Sequence, residues 1–162
     1  MNSESSTIIR AEGEGERLWF YGGGVHTWKA TAEETDGAFI LFEDSLVRGK
    51  TTPLHRHPDQ DEMLYVIEGE LLYHSGGTEH RVTRGATIVT PRGNPHAFIV
   101  VSESARLLFL QTPGSGQAFY RGASVPAGEG DGPVDFRKVK DAATQTGATA
   151  ILGPSPFAKK DT

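Results

Sequence analysis

The sequence predicts an all-β domain, a sandwich or barrel built from short strands. Three observations carry that reading. Short runs rich in β-branched and aromatic residues recur about every eight to twelve residues. Turn residues separate them, with 20 glycines and 9 prolines in 162 residues. Within the runs, side chains alternate in character, most clearly over residues 37–47. There Phe39, Leu41 and Glu43 face one way and Ile40, Phe42 and Asp44 the other.

The elements follow in order. Residues 1–6 are polar and expected to be disordered. Residues 7–10 read as a short strand, an arm suited to pairing with a second subunit in a homodimer. After a glycine-rich acidic turn, strands are expected over 17–21, 25–31 and 37–47, the first two split by Gly22, Gly23 and Gly24. Further strands are expected over 51–57, 62–68, 70–74, 79–83, 87–90 and 96–101, followed by a return ending at 110. Beyond Pro113 the character changes. Ser115 is placed to cap a helical turn over 116–121, and 122–132 read as a flexible linker. A helix is expected over 133–146, capped by Asp131 or Gly132, with Pro133 in its first turn and Gly147 ending it. Phe136, Val139 and Ala143 give it an apolar side. The terminal ILGPSPF is apolar enough to dock and too proline-rich for a helix. The chain thus divides into an arm (1–16), a barrel (17–113) and a helical appendage with a tail (114–162) packed over an opening or a subunit interface.

Composition narrows the function. With 16 basic and 21 acidic residues, a net charge of −5 and no basic block, neither nucleic acid nor an anionic membrane surface is an expected partner. The absence of cysteine excludes disulfides, iron–sulfur clusters and thiolate zinc sites. No apolar run approaches the ~18 residues of a membrane span and no signal-peptide core is present, so a cytoplasmic protein is expected.

The chemistry gathers in two stretches, 49–69 and 85–96. His55 and His57 are two apart and share a face in a strand. Glu62 and His96 each open a strand whose inward face is otherwise apolar, so four metal-capable side chains meet at the mouth of a barrel. Three imidazoles and a carboxylate suit a divalent transition ion: Fe, Ni, Co, Mn or Zn. Such an ion keeps open positions for a small-molecule substrate or O2. Without it, Glu62 would be a carboxylate buried among apolar neighbours. His26 reads as a pocket or rim histidine, His74 and His80 as solvated. Trp28, Phe39, Phe98 and Phe109 are either plain core or the lining of a substrate pocket. The glycines at 22–24 lack the helix and lysine of a phosphate loop, and no serine sits in a nucleophile elbow.

These residues resemble the cupins. Gly49, His55, His57, Glu62 and Gly69 meet the first cupin motif, and Gly85, Pro91, Gly93 and His96 meet the second. The second departs at its final position, where Val100 replaces Asn. The resemblance implies a double-stranded β-helix, or jelly-roll barrel. Beyond the motifs, 13–39, PRGNPHAFIV, LLFLQTPG, GQAFYRGA and ILGPSPF look like bacterial single-domain cupins similar to quercetin 2,3-dioxygenase. That likeness implies His55, His57, Glu62 and His96 as metal ligands. It gives Glu62 a second, catalytic role, accepting the proton of the substrate's enolic hydroxyl. The implied reaction is cleavage of a flavonol, or a related enolisable aromatic or diketone, by O2 with loss of carbon monoxide. Two other functions fit the same ligands: a non-redox isomerase or cyclase, and a non-catalytic metal- or small-ligand-binding barrel.

Overall fold

Strands with alternating apolar positions need a second layer to bury against, and two antiparallel sheets supply it. The structure, a computed structural model, describes residues 6–128 and 133–158. Twelve strands lie among them: β1 Arg17–Phe20, β2 Val25–Ala30, β3 Ile40–Val47, β4 Leu54–Arg56, β5 Asp61–Glu68, β6 Glu70–Ser75, β7 Thr78–Thr83, β8 Thr87–Thr90, β9 His96–Val100, β10 Ser104–Thr112, β11 Ser124–Pro126 and β12 Ala150–Gly153. The larger sheet runs β11-β1-β2-β3-β10-β5-β8 and the smaller β12-β4-β9-β6-β7. A 3-10 turn, Gly114–Gly116, leads into α1 (Gln117–Gly122), and α2 spans Phe136–Thr146.

The core lies between the sheets. Ile40, Phe42 and Leu46 of β3 join Leu64 and Val66 of β5 and Leu107 and Phe109 of β10 from one side. Leu71 and Tyr73 of β6 and Phe98 and Val100 of β9 come from the other. Each such side chain, fully buried, contributes about 1.5–3 kcal/mol relative to exposure. Among the described residues, no helix is long and apolar enough to cross a membrane.

The structure corrects the sequence reading at the chain's edges. Residues 7–10 form no strand: Ile9 is exposed, and Arg10 is tied to Glu34 at 2.6 Å and to the Lys29 carbonyl at 2.6 Å. The segment read as a linker contains β11, which caps the open edge of β1. Helix α2 begins at Phe136 with Asp135 as its cap, its carboxylate accepting from the Arg137 and Lys138 amides. The caps expected at Asp131 or Gly132 fall outside the described residues, as do residues 1–5. Gly147 ends α2 in the left-handed region at φ 67°. Of the expected apolar side of α2, Val139 and Ala143 are buried, with Ala142 beside them, whereas Phe136 is half exposed. The apolar tail does more than dock, because β12 pairs with β4 and extends the smaller sheet.

Candidate metal centre

The smaller sheet sets the three histidines. β4 and β9 pair with His55 opposite His96, so their rings stand 4.3 Å apart between centroids. His57, just past β4, places its ring 5.2 Å from that of His55 and 5.5 Å from that of His96. One ring nitrogen of each lies within 4.8 Å of the others, close enough to share an ion. Glu62 adjoins this set from β5 of the larger sheet, with Oε2 2.8 Å from His57 Nε2 and Oε1 3.5 Å from His96 Nε2.

Each imidazole is held from behind by its other nitrogen. His55 Nδ1 lies 2.8 Å from the Pro53 carbonyl and His96 Nδ1 2.9 Å from the Asn94 carbonyl. His57 Nδ1 lies 3.3 Å from the Ala148 carbonyl and 3.1 Å from Thr149 Oγ1. A proton on Nδ1 of each ring satisfies these carbonyls and leaves Nε2 as a lone pair, the tautomer a metal ligand needs. His57 and His96 are 3% and 1% exposed, yet their Nε2 atoms have no hydrogen-bond partner among the described residues. Buried nitrogens left without a partner around one point, with the Glu62 carboxylate beside them, fit a cation.

The electrostatics agree with the crowding. Burial alone would raise the Glu62 carboxyl, but His96 and His57 beside it hold it well below the usual carboxylate range. Burial would lower His96, and Glu62 pushes it up past its ordinary value. His55 is lowered to about 3, by burial first and then by His96 and His57.

The centre opens on an aromatic cavity. His55, Glu62 and His96 share its wall with Phe20, Phe42, Leu64, Phe98, Leu107 and Phe109. Of the four aromatic residues singled out from the sequence, Phe98 and Phe109 line the cavity and Trp28 and Phe39 do not. Trp28 is 1% exposed and packs against Phe42, whereas Phe39 lies just before β3 and is half-buried. His26 lies in the wall, as read from the sequence, but its Nδ1 has no hydrogen-bond partner among the described residues. Sequence reasoning missed Phe119 and Tyr120 of α1, Val139 of α2 and Thr149, which bring the C-terminal part of the chain into the wall. It also missed Asp44 and Lys50. The signal for Asp44 was present, since it shares the β3 face of Ile40 and Phe42.

Comparison with known proteins gives the following. Residues 42–111 match the cupin domain family. Quercetin 2,3-dioxygenase of Bacillus subtilis (strain 168) is 27% identical over 118 residues, an alignment covering 73% of this chain. The chain spans only 35% of that enzyme's length. Among solved structures, KdgF from Halomonas sp. superposes with a TM-score of 0.60 at 18% identity, covering 67% of this chain and 94% of the other. The polyketide cyclase RemF from Streptomyces resistomycificus gives 0.52 at 22% identity, covering 65% and 80%. At these identities the structural likeness is one of fold.

Proposed function

Because the chain belongs to the cupin superfamily, we propose that His55, His57, His96 and Glu62 hold one divalent transition ion (Fe, Ni, Co, Mn or Zn) and that the protein is a dioxygenase. Its substrate would be a flavonol or a related enolisable aromatic or diketone, opened by O2. The observation that carries this is one of placement: three converging imidazoles and an ionised carboxylate sit in the wall of an aromatic cavity. When bound, the ion supplies Lewis acidity toward a substrate oxygen and, where it is Fe, Ni, Co or Mn, redox chemistry with O2.

The chain's own residues then have defined work. Glu62, set beside His57 and His96, accepts the proton of the substrate's enolic hydroxyl at a carboxylate oxygen. The backbone carbonyls of Pro53, Asn94 and Ala148 hold the imidazoles in register without spending their Nε2 atoms. Phe98, Phe109 and Leu107 exclude water and flank a flat ring. The similarity to a quercetin dioxygenase supports the substrate class.

The test is oxygen uptake by protein of known metal content, screened against flavonols and β-diketones. Uptake in step with substrate loss is expected, and it should vanish on chelation. Metal-loaded protein that consumes no O2 with any of them would overturn the reading. A non-redox isomerase or cyclase is the second reading, favoured by the Glu62 carboxylate beside the imidazoles, which can take up and return a proton without oxygen. Turnover under anaerobic conditions with zinc would select it.

A further inference from the structure

The cavity has a second polar pole that the metal reading does not use. Asp44 on β3 is the cross-strand partner of His26 on β2, and Lys50 follows in the turn after β3. All three line the same cavity as Glu62 and His96. His26 is 2% exposed and lies against Phe20 and Phe42, at centroid distances of 5.0 and 4.1 Å. Its Nε2 is 3.7 Å from Asp44 Oδ1, too far for a hydrogen bond. His26 Nδ1 and Asp44 Oδ1 are both buried without a partner among the described residues. Among the described residues Lys50 donates one hydrogen bond, to the Gly22 carbonyl at 2.5 Å, and its ammonium lies 5.4 Å from the centre of the Phe20 ring, with N–H groups to spare. Gly24, at φ +102°, keeps room beside this pole, since a Cβ there would meet Asp44 Oδ1 at 2.8 Å.

A buried imidazole beside a half-buried carboxylate and ammonium, all with spare bonding capacity in a cavity wall, are costly unless something completes them. The chemistry of the completing group is constrained. A ligand carboxylate or phosphate would meet the Asp44 carboxylate, and a ligand ammonium would meet Lys50. A neutral hydroxyl suits both, donating to Asp44 and accepting from Lys50. We infer that Asp44 and Lys50, backed by His26, form a recognition subsite for a neutral hydroxyl on the ligand's ring system, separate from the oxygen that faces Glu62. The aromatic walls between the poles suit a flat ring carrying both oxygens. The preferred ligand is therefore a polyhydroxylated aromatic rather than a simple enol or diketone, a choice that rests on the proposed function and sharpens it.

The test is anaerobic calorimetric binding of two ligands to the metal-loaded protein. One is 3-hydroxyflavone, which keeps the enolic hydroxyl; the other is quercetin, which adds ring hydroxyls. A charge-assisted hydrogen bond predicts that quercetin binds at least about tenfold more tightly. Asp44→Asn and Lys50→Met should each shrink that preference severalfold. Equal affinity of the wild-type protein for the two ligands, or variants that retain the full preference, would overturn the subsite and leave the dioxygenase reading standing. Should the wild-type protein bind neither ligand, the flavonol reading falls and the subsite with it. The wild-type comparison decides the matter even if a variant fails to fold.

Discussion

Replacing Asp44 with Asn should make the protein sensitive to mild acid through His26. Burial, with Lys50 adding to it, lowers the His26 pKa to about 3. In the unfolded chain a histidine titrates at about 6.5. Between those values the unfolded state binds a proton that the folded state refuses, so stability falls as pH falls, by about 1.4 kcal/mol per pH unit. From neutrality to about pH 5 the loss is about 2 kcal/mol, a sizeable share of the ~5–15 kcal/mol typical of a domain. In the wild-type protein Asp44 masks this. Its carboxyl is raised by burial, against the opposing pull of Lys50, so the folded state takes up that proton before the unfolded chain does. Acid therefore stabilises the fold through Asp44 while destabilising it through His26. Asp44→Asn removes the first effect and keeps the second. Urea unfolding from about pH 7 to about pH 5 should show D44N losing about 2 kcal/mol more than the double variant D44N/H26F, since the contribution of His55, also lowered to about 3, is common to both. The same pH dependence in both variants would refute the claim that His26 is buried neutral.

Two further outcomes follow from residues already described. His96→Ala should lose bound metal and melting temperature together, because an ion that binds only the folded state stabilises it; elemental analysis with a thermal melt checks this, and unchanged metal content would remove His96 from the ligand set. Gly69→Ala should destabilise by about 1–3 kcal/mol in urea unfolding, since Gly69 turns β5 into β6 at φ +88° and a Cβ there would collide with the Ser104 carbonyl and Ala105.

The sheet strands were legible because their signals are local. Alternation and turn residues mark β2, β3, β5, β9 and β10 without reference to any partner. β11 and β12, at three and four residues, are too short to carry a period, and they are strands because the edges of β1 and β4 offer unpaired backbone. The site divides in the same way. His55, His57 and Glu62 lie within one short stretch, and the carbonyls holding His55 and His96 come from two residues upstream of each. The support for His57 comes from Ala148, 91 residues away, and from Thr149. No spacing rule could connect them. Lys50 was illegible for a different reason, which also outweighed the one signal for Asp44, its place on the apolar face of β3. A charged residue near a strand end is usually solvated, and only the surrounding cavity shows that these two are not.

The origins of the four proposed ligands lead to one more expectation. Three come from β4, its exit and β9 in the smaller sheet, and Glu62 comes from β5 in the larger one. An ion held by all four would therefore cross-link the two sheets, at a point where β4 makes only a short pairing with β9. β3, β5 and β10 gain less from such a link, because long ladders already join them. Removing the ion should thus act unevenly. Amides of β4, β9 and β12 should exchange with solvent faster, while those of β3 and β10 keep their protection. Hydrogen exchange on chelated and metal-loaded protein measures this directly. A uniform change across both sheets would mean that the ion stabilises the fold only as a whole. No change anywhere would mean that Glu62 and the histidines do not share an ion.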